Sequence, residues 1–375
     1  MEKLKVAQIS LSMGTGGLEH CILNLINHLD PERFDTTVGC LDYAGELFPR
    51  IAAAGHTSFC ETRRPGLDWR LIFRLKNYFA KTGVHIVHTH NQAAHFYAGI
   101  AAFLARVPVR ITTEHSRHHI ALETRRIWEK KALCTLTDQW VTVNQPLYEA
   151  SREDGLPLKK LHVIQNGIPV PEACPEFQPH SKLAVQLGLS PEDQVVLMAA
   201  RLDPVKNHEL MFQALAREKS NLTRVRLLIA GDGERREYLE RLAKELGIAD
   251  QVIFLGNRDD VGELLALARI FVLCSHTEGL SLALLEAAAS GTPILISRPA
   301  NAAAFVTPDE TGVESAPSAR EMGRCLKQML ADPQALRPMA EQAFQRVKAR
   351  YSARAMAENY ADLYLDLARK KGVCQ

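Results

Sequence analysis

Short, near-continuous apolar runs return along this chain at intervals that leave room for one helix between each pair. In the first half the runs are LKVAQIS, TTVGCL, VHIVHTH, VRITTE, WVTV and HVI. Runs this apolar read as strands buried on both faces, which antiparallel sheets rarely need and parallel sheets require. Between the first two runs, Leu18, Cys21, Ile22, Leu25, Ile26 and Leu29 fall at the three- and four-residue spacing of an amphipathic helix. Strand alternating with helix predicts a parallel, doubly wound α/β sheet.

The alternation stops in QNGIPVPEACPEFQPHS, which carries prolines at positions 169, 171, 175 and 179, and such a stretch reads as a linker. It then restarts with VVLMAA, VRLLIA, QVIFL, IFVLC and PILIS. A chain of 375 residues is also long for one core, since domains typically hold roughly 100–200 residues. The reading is a first domain over residues 1–168, a linker over 169–181, a second domain over 182–350 and a helical tail over 351–375.

Composition narrows the function classes. The chain is 46% hydrophobic and 23% charged, as a soluble globular protein is. Its 45 Lys and Arg against 43 Asp and Glu give no case for nucleic-acid binding. No signal-peptide pattern and no long apolar span are present, so a cytoplasmic location is expected. Eight cysteines are scattered without CxxC spacing, which favours reduced core thiols over a zinc site or disulfides.

Open α/β sheets bind ligands beyond the carboxyl ends of their strands, so the loops after the runs are the candidates. SMGTGGLEH follows the first run, RLDPVKN follows VVLMAA with Arg201 and Lys206, and GDGERREYL follows VRLLIA. SHTEGLSLALLEAAASGTPILIS follows IFVLC, with Glu278 before a helix and Glu286 eight residues on. Free amides at that helix start, beside cations, suit a diphosphate. Glu278 next to an anion site is wasteful unless its carboxylate accepts from hydroxyls, as a sugar offers. Each loop has a bland alternative: Arg201 and Lys206 as solvated cations, the glycines as turns, Glu286 in a salt bridge with an arginine.

EGLSLALLE followed by SGTPIL resembles the signature of the retaining family 4 glycosyltransferases, two-domain enzymes of the GT-B fold. AARLDPVKN, LLIAGDGE, VIQNGI and MGTGGLEH extend the resemblance over nearly the whole chain. It implies two Rossmann-like domains facing a cleft, with C-terminal helices crossing back to the first domain. It implies that Arg201 and Lys206 hold the diphosphate of a nucleotide-sugar, with UDP the expected nucleotide, and that no metal or other cofactor is needed. Glu286 then meets the ribose, and Glu278 with Gly279, Leu280 and Ser281 meets the transferred sugar and phosphate. Gly16 and Gly17 let the backbone approach the donor, and His115 lies near the reacting sugar. Gly256, Asn257 and Arg258 surround the base, and Glu19 and His90 are acceptor-side candidates. Two departures stand out: Ala304 occupies the place of a family glutamate, and EGLS replaces the commoner E-G-F-G.

Two stretches mix cations with aromatics, as interfacial segments do. One holds Arg63, Arg64, Trp69, Arg70, Phe73 and Arg74; the other holds Arg125, Arg126, Trp128, Lys130 and Lys131. With a glycan or lipid-linked acceptor these are the faces expected to meet the inner leaflet of a membrane; the alternative is core helices with solvated cations. Two rival functions stand beside the transferase. A non-catalytic sugar-nucleotide binding protein shares every motif, and an NAD-dependent dehydrogenase accounts for the first glycine loop with Asp42 after the second strand.

Overall fold

The computed structural model describes residues 3–14, 16–115, 124–278, 281–300 and 305–373. The chain divides into two compact units, residues 1–169 with 351–375 and residues 170–350.

The first unit holds a seven-stranded sheet: β1 (Leu4–Ser12), β2 (Phe34–Tyr43), β3 (Thr57–Cys60), β4 (Ile86–His90), β5 (Val109–Glu114), β6 (Gln139–Thr142) and β7 (Leu161–Val163). The strands lie in the order β3-β2-β1-β4-β5-β6-β7, and every pairing is parallel. Parallel strands need a crossover between neighbours, and the intervening amphipathic helices supply it. The helix Gly17–His28 is an example: it buries Cys21, Ile22, Leu23, Leu25 and Ile26 and leaves its polar face out.

One face of this sheet is covered from far along the sequence. The last helix, Ala353–Lys370, sets Met356, Ala357, Tyr360, Tyr364 and Leu367 against Val6, Ile86, Ile111 and Val141. Its entry is fixed by main-chain bonds from Ile168 to Tyr351 O (2.9 Å) and from Ala353 to Ile168 O (2.6 Å). The crossing back expected for the C-terminus is therefore present within the first unit.

The second unit repeats the plan with six strands: β8 (Gln194–Ala199), β9 (Val225–Ala230), β10 (Val252–Gly256), β11 (Ile270–Leu273), β12 (Ile294–Ser297) and β13 (Val313–Ser315), in the order β10-β9-β8-β11-β12-β13. The proline-rich stretch is not a free tether. It lies along this unit, with Gln178 N donating to Ala266 O at 2.8 Å. Among the described residues no helix is long and apolar enough to cross a membrane. None of the seven described cysteines is in a disulfide. Burial pushes the Cys40 and Cys274 thiols up to about 12, so both are inert core groups.

Candidate active site

Each sheet reverses its direction of winding beside its first strand, between β1 and β4 and between β8 and β11. Loops leaving those strands are splayed apart, and open α/β sheets take ligands in the crevice that results. The loops after β8 and β11 carry Arg201, Lys206 and Glu278.

Main-chain hydrogen bonds stitch four loops of the second unit into one layer. Ala200 N donates to Ala230 O (2.9 Å) and Leu202 N to Asp232 O (3.0 Å), which joins the β8 and β9 loops. Gly231 N donates to Gly256 O (2.8 Å) and His276 N to Val205 O (2.8 Å), which adds the ends of β10 and β11. Gly231 makes this approach possible: it sits at φ +143°, and a Cβ there collides with the Ala200 carbonyl oxygen. GDGE is thus a packing turn that holds the Arg201 loop in place.

On this layer the charged groups are held but not extinguished. Asp203 caps the turn Pro204–Lys206 by accepting from Lys206 N at 3.2 Å, and it draws Arg201 to 3.1 Å. The Arg201 side chain is still 81% exposed, so its fork keeps donors free. Lys206 Nζ lies 2.6 Å from Glu278 Oε1, the same oxygen that accepts from Ser275 Oγ at 2.6 Å. Lys206 and Glu278 are both mostly shielded, which strengthens their attraction over that of a surface pair.

Glu286 has a different environment. It lies in the helix Leu282–Ala289, whose Leu284, Leu285, Ala287, Ala288 and Ala289 are buried. Burial pushes its carboxyl up to about 7, and it has no ion-pair partner among the described residues. Among the described residues no arginine or lysine supplies the salt bridge, and a carboxyl perturbed in this way is a candidate for a functional site. Ser281 caps the helix by accepting from Leu284 N at 3.4 Å. Gly279 and Leu280 lie outside the described residues, as does Ala304.

At the end of β10, Gly256 adopts φ +68° and Asn257 is exposed. Arg258 donates through Nε to Asp260 Oδ1 at 2.7 Å, with a second bond from its Nη2. Its guanidinium is thereby committed to Asp260.

In the first unit, Gly16 and Gly17 open the helix Gly17–His28 and are exposed. Glu19 folds back over Gly16, with Oε1 3.4 Å from Ser12 Oγ, the place of a helix-start acid. At the ends of β4 and β5, His90 Nδ1 and His115 Nε2 are 3.0 Å apart. His115 N donates to Asn91 Oδ1 at 3.0 Å, and Asn91 itself adopts φ +68°. A non-glycine residue held there is strained, and such strain clusters at functional positions.

Comparison with known families settles the class. Residues 181–346 match the family described as "Glycosyl transferases group 1", and residues 15–171 match "Glycosyltransferase Family 4". The chain is a family 4 glycosyltransferase. Its relatives include the putative glycosyltransferase EpsF of Bacillus subtilis, 26% identical over 78% of this chain and 79% of that one. Another is the UDP-Gal:alpha-D-GlcNAc-diphosphoundecaprenol alpha-1,3-galactosyltransferase of Escherichia coli, 27% identical over 79% of each chain. Among solved structures, Anabaena HepE in complex with UDP and glucose superposes with a TM-score of 0.82 at 21% identity, over 97% of this chain and 100% of that one. The fold is GT-B.

Several expected features of this glycosyltransferase are corrected by its structure. Lys130 is no surface cation: it is buried, 2.8 Å from Glu114, 3.1 Å from Asp154 and 5.4 Å from the Trp140 ring centroid. Arg63 is bound through Nε and Nη2 to Asp42, at 2.9 and 3.2 Å. That pair also takes Asp42 from the ribose-binding part which the dehydrogenase alternative requires. Arg74 is held by Glu61 at 2.7 Å. Exposed in the same stretches are Leu67, Trp69, Arg70, Phe73 and Trp128. Sequence reasoning passed over Asp203, Ser275, Gln8 and Asn91. Asp203 was visible as a capping acid before a proline, and Ser275 as a small polar residue just past the β11 run.

Proposed function

We propose that this glycosyltransferase moves a hexosyl or N-acetylhexosaminyl group from a UDP-sugar to a lipid-linked glycan acceptor. Transfer proceeds with retention of anomeric configuration, without a metal, in the assembly of a bacterial surface polysaccharide or glycolipid. The observation that carries the reading is the pair of cations, Arg201 exposed and Lys206 shared with Glu278, mounted on one stitched layer at the switch point of the second sheet. As the bond from sugar to diphosphate breaks, negative charge grows on the leaving phosphate. Fixed donors aimed at such charge usually contribute more to an enzyme's rate acceleration than any other single effect. Arg201 offers a planar fork, and Lys206 can turn from Glu278 towards the phosphate while Ser275 keeps Glu278 in place.

In this reading the Glu286 carboxylate accepts from the ribose hydroxyls, and Glu278, with Gly279, Leu280 and Ser281, lies against the sugar and phosphate. Gly256, Asn257 and Arg258 meet the base. Gly16 and Gly17 admit the donor, His115 faces a sugar hydroxyl, and His90 and Glu19 support the acceptor side. The name of the Escherichia coli relative states a UDP-galactose donor and a diphosphoundecaprenol-linked acceptor. That supports a UDP-sugar and a lipid-linked acceptor here. Exposed Trp69, Phe73 and Trp128, with Arg70 beside two of them, suit peripheral contact with an anionic inner leaflet.

The test has two stages. A thermal-shift panel of UDP, GDP, ADP and their sugars identifies the ligand, because one that binds only the folded state raises its stability. Nucleotide release from the best donor is then followed in Arg201→Ala and Lys206→Ala, each expected to lose roughly 100- to 1,000-fold while staying folded. Wild-type rates in both refute the reading. Stabilisation by a donor with no release, with or without acceptor, identifies a binding protein instead.

A further inference from the structure

Two buried histidines of the first unit, His88 and His90, and the half-buried His115 belong to one unbroken line of hydrogen bonds that starts on the last helix. Tyr364 Oη lies 2.6 Å from His88 Nδ1 and 3.0 Å from Gln8 Nε2. Gln8 Oε1 lies 2.9 Å from His90 Nε2, and His90 Nδ1 lies 3.0 Å from His115 Nε2. On the other side, His88 Nε2 is 2.7 Å from Thr113 Oγ1, which is 2.9 Å from Tyr360 Oη. His115 Nδ1, at the end of the line, is buried and has no partner among the described residues.

A neutral imidazole has one N–H and one lone pair, so such a line has only two self-consistent polarities. In one, Tyr364 donates to His88 Nδ1 and Gln8 donates its amide to Tyr364. The Gln8 carbonyl then accepts from His90 Nε2–H, and His90 Nδ1 accepts from His115 Nε2–H. That leaves a lone pair on His115 Nδ1. In the other polarity every bond reverses, the glutamine is turned over, and His115 Nδ1 carries a proton.

The geometry separates the two. An imidazole N–H donating to a phenol oxygen belongs at roughly 2.7–3.2 Å, whereas hydroxyl donors make the shorter bonds. Gln8 turns its amide nitrogen to Tyr364 Oη and its carbonyl to His90 Nε2, the orientation of the first polarity, and the short 2.6 Å contact agrees with Tyr364 O–H donating to His88. Burial keeps the line neutral, since it lowers the pKa of His88 and His90 far below the usual histidine range and that of His115 to about 4.

We infer that Tyr364, Gln8 and His90 are positioning residues that hold His115 as its Nε2–H tautomer, so that Nδ1 is kept as an acceptor for a hydroxyl of the sugar substrate. The Asn91 carboxamide fixes the same residue through its amide. An acceptor edge of this kind takes a hydroxyl and rejects a phosphate, the opposite preference to that of Arg201 and Lys206. The inference rests on the transferase reading for the identity of the ligand, but the tautomer does not.

The test is long-range 1H–15N correlation spectroscopy of the ligand-free full chain at pH 7, with His115 assigned by its loss in His115→Asn. Wild type is expected to show His88, His90 and His115 all protonated on Nε2. Tyr364→Phe removes one hydroxyl and leaves the ring packed; it frees Gln8 to turn and is expected to give a mixture of tautomers at His115. A proton on His115 Nδ1 in wild type, or an unchanged tautomer in Tyr364→Phe, overturns the inference. With the donor found by thermal shift, His115→Leu is expected to lower kcat about tenfold, the worth of one substrate hydrogen bond. His115→Asn, which keeps an acceptor, is expected to recover part of it. Equal loss in both overturns the acceptor role. Failure to find any donor instead refutes the transferase reading and leaves the spectroscopic result standing.

Discussion

Replacing Glu286 by glutamine should make the empty protein more stable at high pH and worse at binding nucleotide. The carboxyl is raised from 4.5 to about 7 by burial. Because the folded value lies above the unfolded one, the native state binds more protons than the unfolded state between those limits, and stability falls as pH rises through them. At 1.36 kcal/mol per pKa unit, the cost of the ionised acid is about 1 kcal/mol at pH 5 and about 3 kcal/mol at pH 8. Glutamine carries none of this cost. Whatever its own amide loses for lack of partners is the same at both pH values, so the difference between them isolates the carboxylate. Differential scanning fluorimetry should therefore show the melting temperature of Glu286→Gln, relative to wild type, rising by roughly 4–8 °C between pH 5 and pH 8, at about 2–4 °C per kcal/mol for domains of this size. UDP affinity of wild type should increase from pH 5 to 8, since only the carboxylate accepts from two hydroxyls, and should be flat and weaker in the variant. A pH-independent difference in melting temperature refutes the reasoning, because it means the acid is solvated or paired.

His88, His90, His95 and His115 predict the opposite pH dependence. Burial lowers their folded values below the unfolded 6.5, with His95 and His115 at about 4, so their stabilisation is complete above pH 6.5 and is lost as pH falls towards 4. Melting of Glu286→Gln, which lacks the opposing acid, should show a steep fall across that window, and a flat profile refutes it. Gly231→Ala should destabilise by about 1–3 kcal/mol from its backbone conformation alone. It should weaken UDP binding at a temperature where the variant is still folded, as ligand titration will show; full affinity means the β8 loop does not depend on this approach. Trp69→Ser with Phe73→Ser should leave melting nearly unchanged, as both rings are exposed, yet abolish co-sedimentation with phosphatidylglycerol vesicles. Equal recovery of variant and wild type refutes membrane contact through that face.

The fold was legible wherever burial on both faces forced the sequence to be apolar. β1, β4, β8, β9 and β11 are interior strands and announce themselves. β3 (TSFC) and β13 (VES) did not: both are short, half-exposed edge strands, whereas the edge strands β7 and β10 keep a readable apolar run. The candidate site was legible in the loops, since Arg201, Lys206 and Glu278 stand just past apolar runs. What could not be read was commitment. Lys130 and Arg126 look alike in RRIWEKK, but Lys130 faces Glu114 and Asp154, which only the tertiary structure brings to it. Arg63 and Arg64 look alike too, and only the first meets Asp42. Gln8 was the overlooked clue: a lone amide inside LKVAQIS must be bonded if that run is buried, and Tyr360 and Tyr364 repeat at helical spacing in the segment that bonds it.

The same strand order serves two kinds of polar chemistry, and burial explains which chemistry each unit can carry. Charges survive inside a protein only when paired and hydrogen-bonded, so an anion site must keep its cations near the surface or beside acids. The second unit does both, with Arg201 exposed beside Asp203 and Lys206 against Glu278. Neutral imidazoles and phenols have no such limit. His88, His90, Tyr360 and Tyr364 can be fully buried provided each proton has a receiver, and the line they form gives the first unit an acceptor of fixed direction without any charge. A group that must tell a sugar hydroxyl from a phosphate gains from being neutral, since a charged edge would draw the phosphate first. The tautomer of His115 is thus a consequence of how the last helix is seated, and moving that helix should alter sugar recognition before it alters nucleotide affinity.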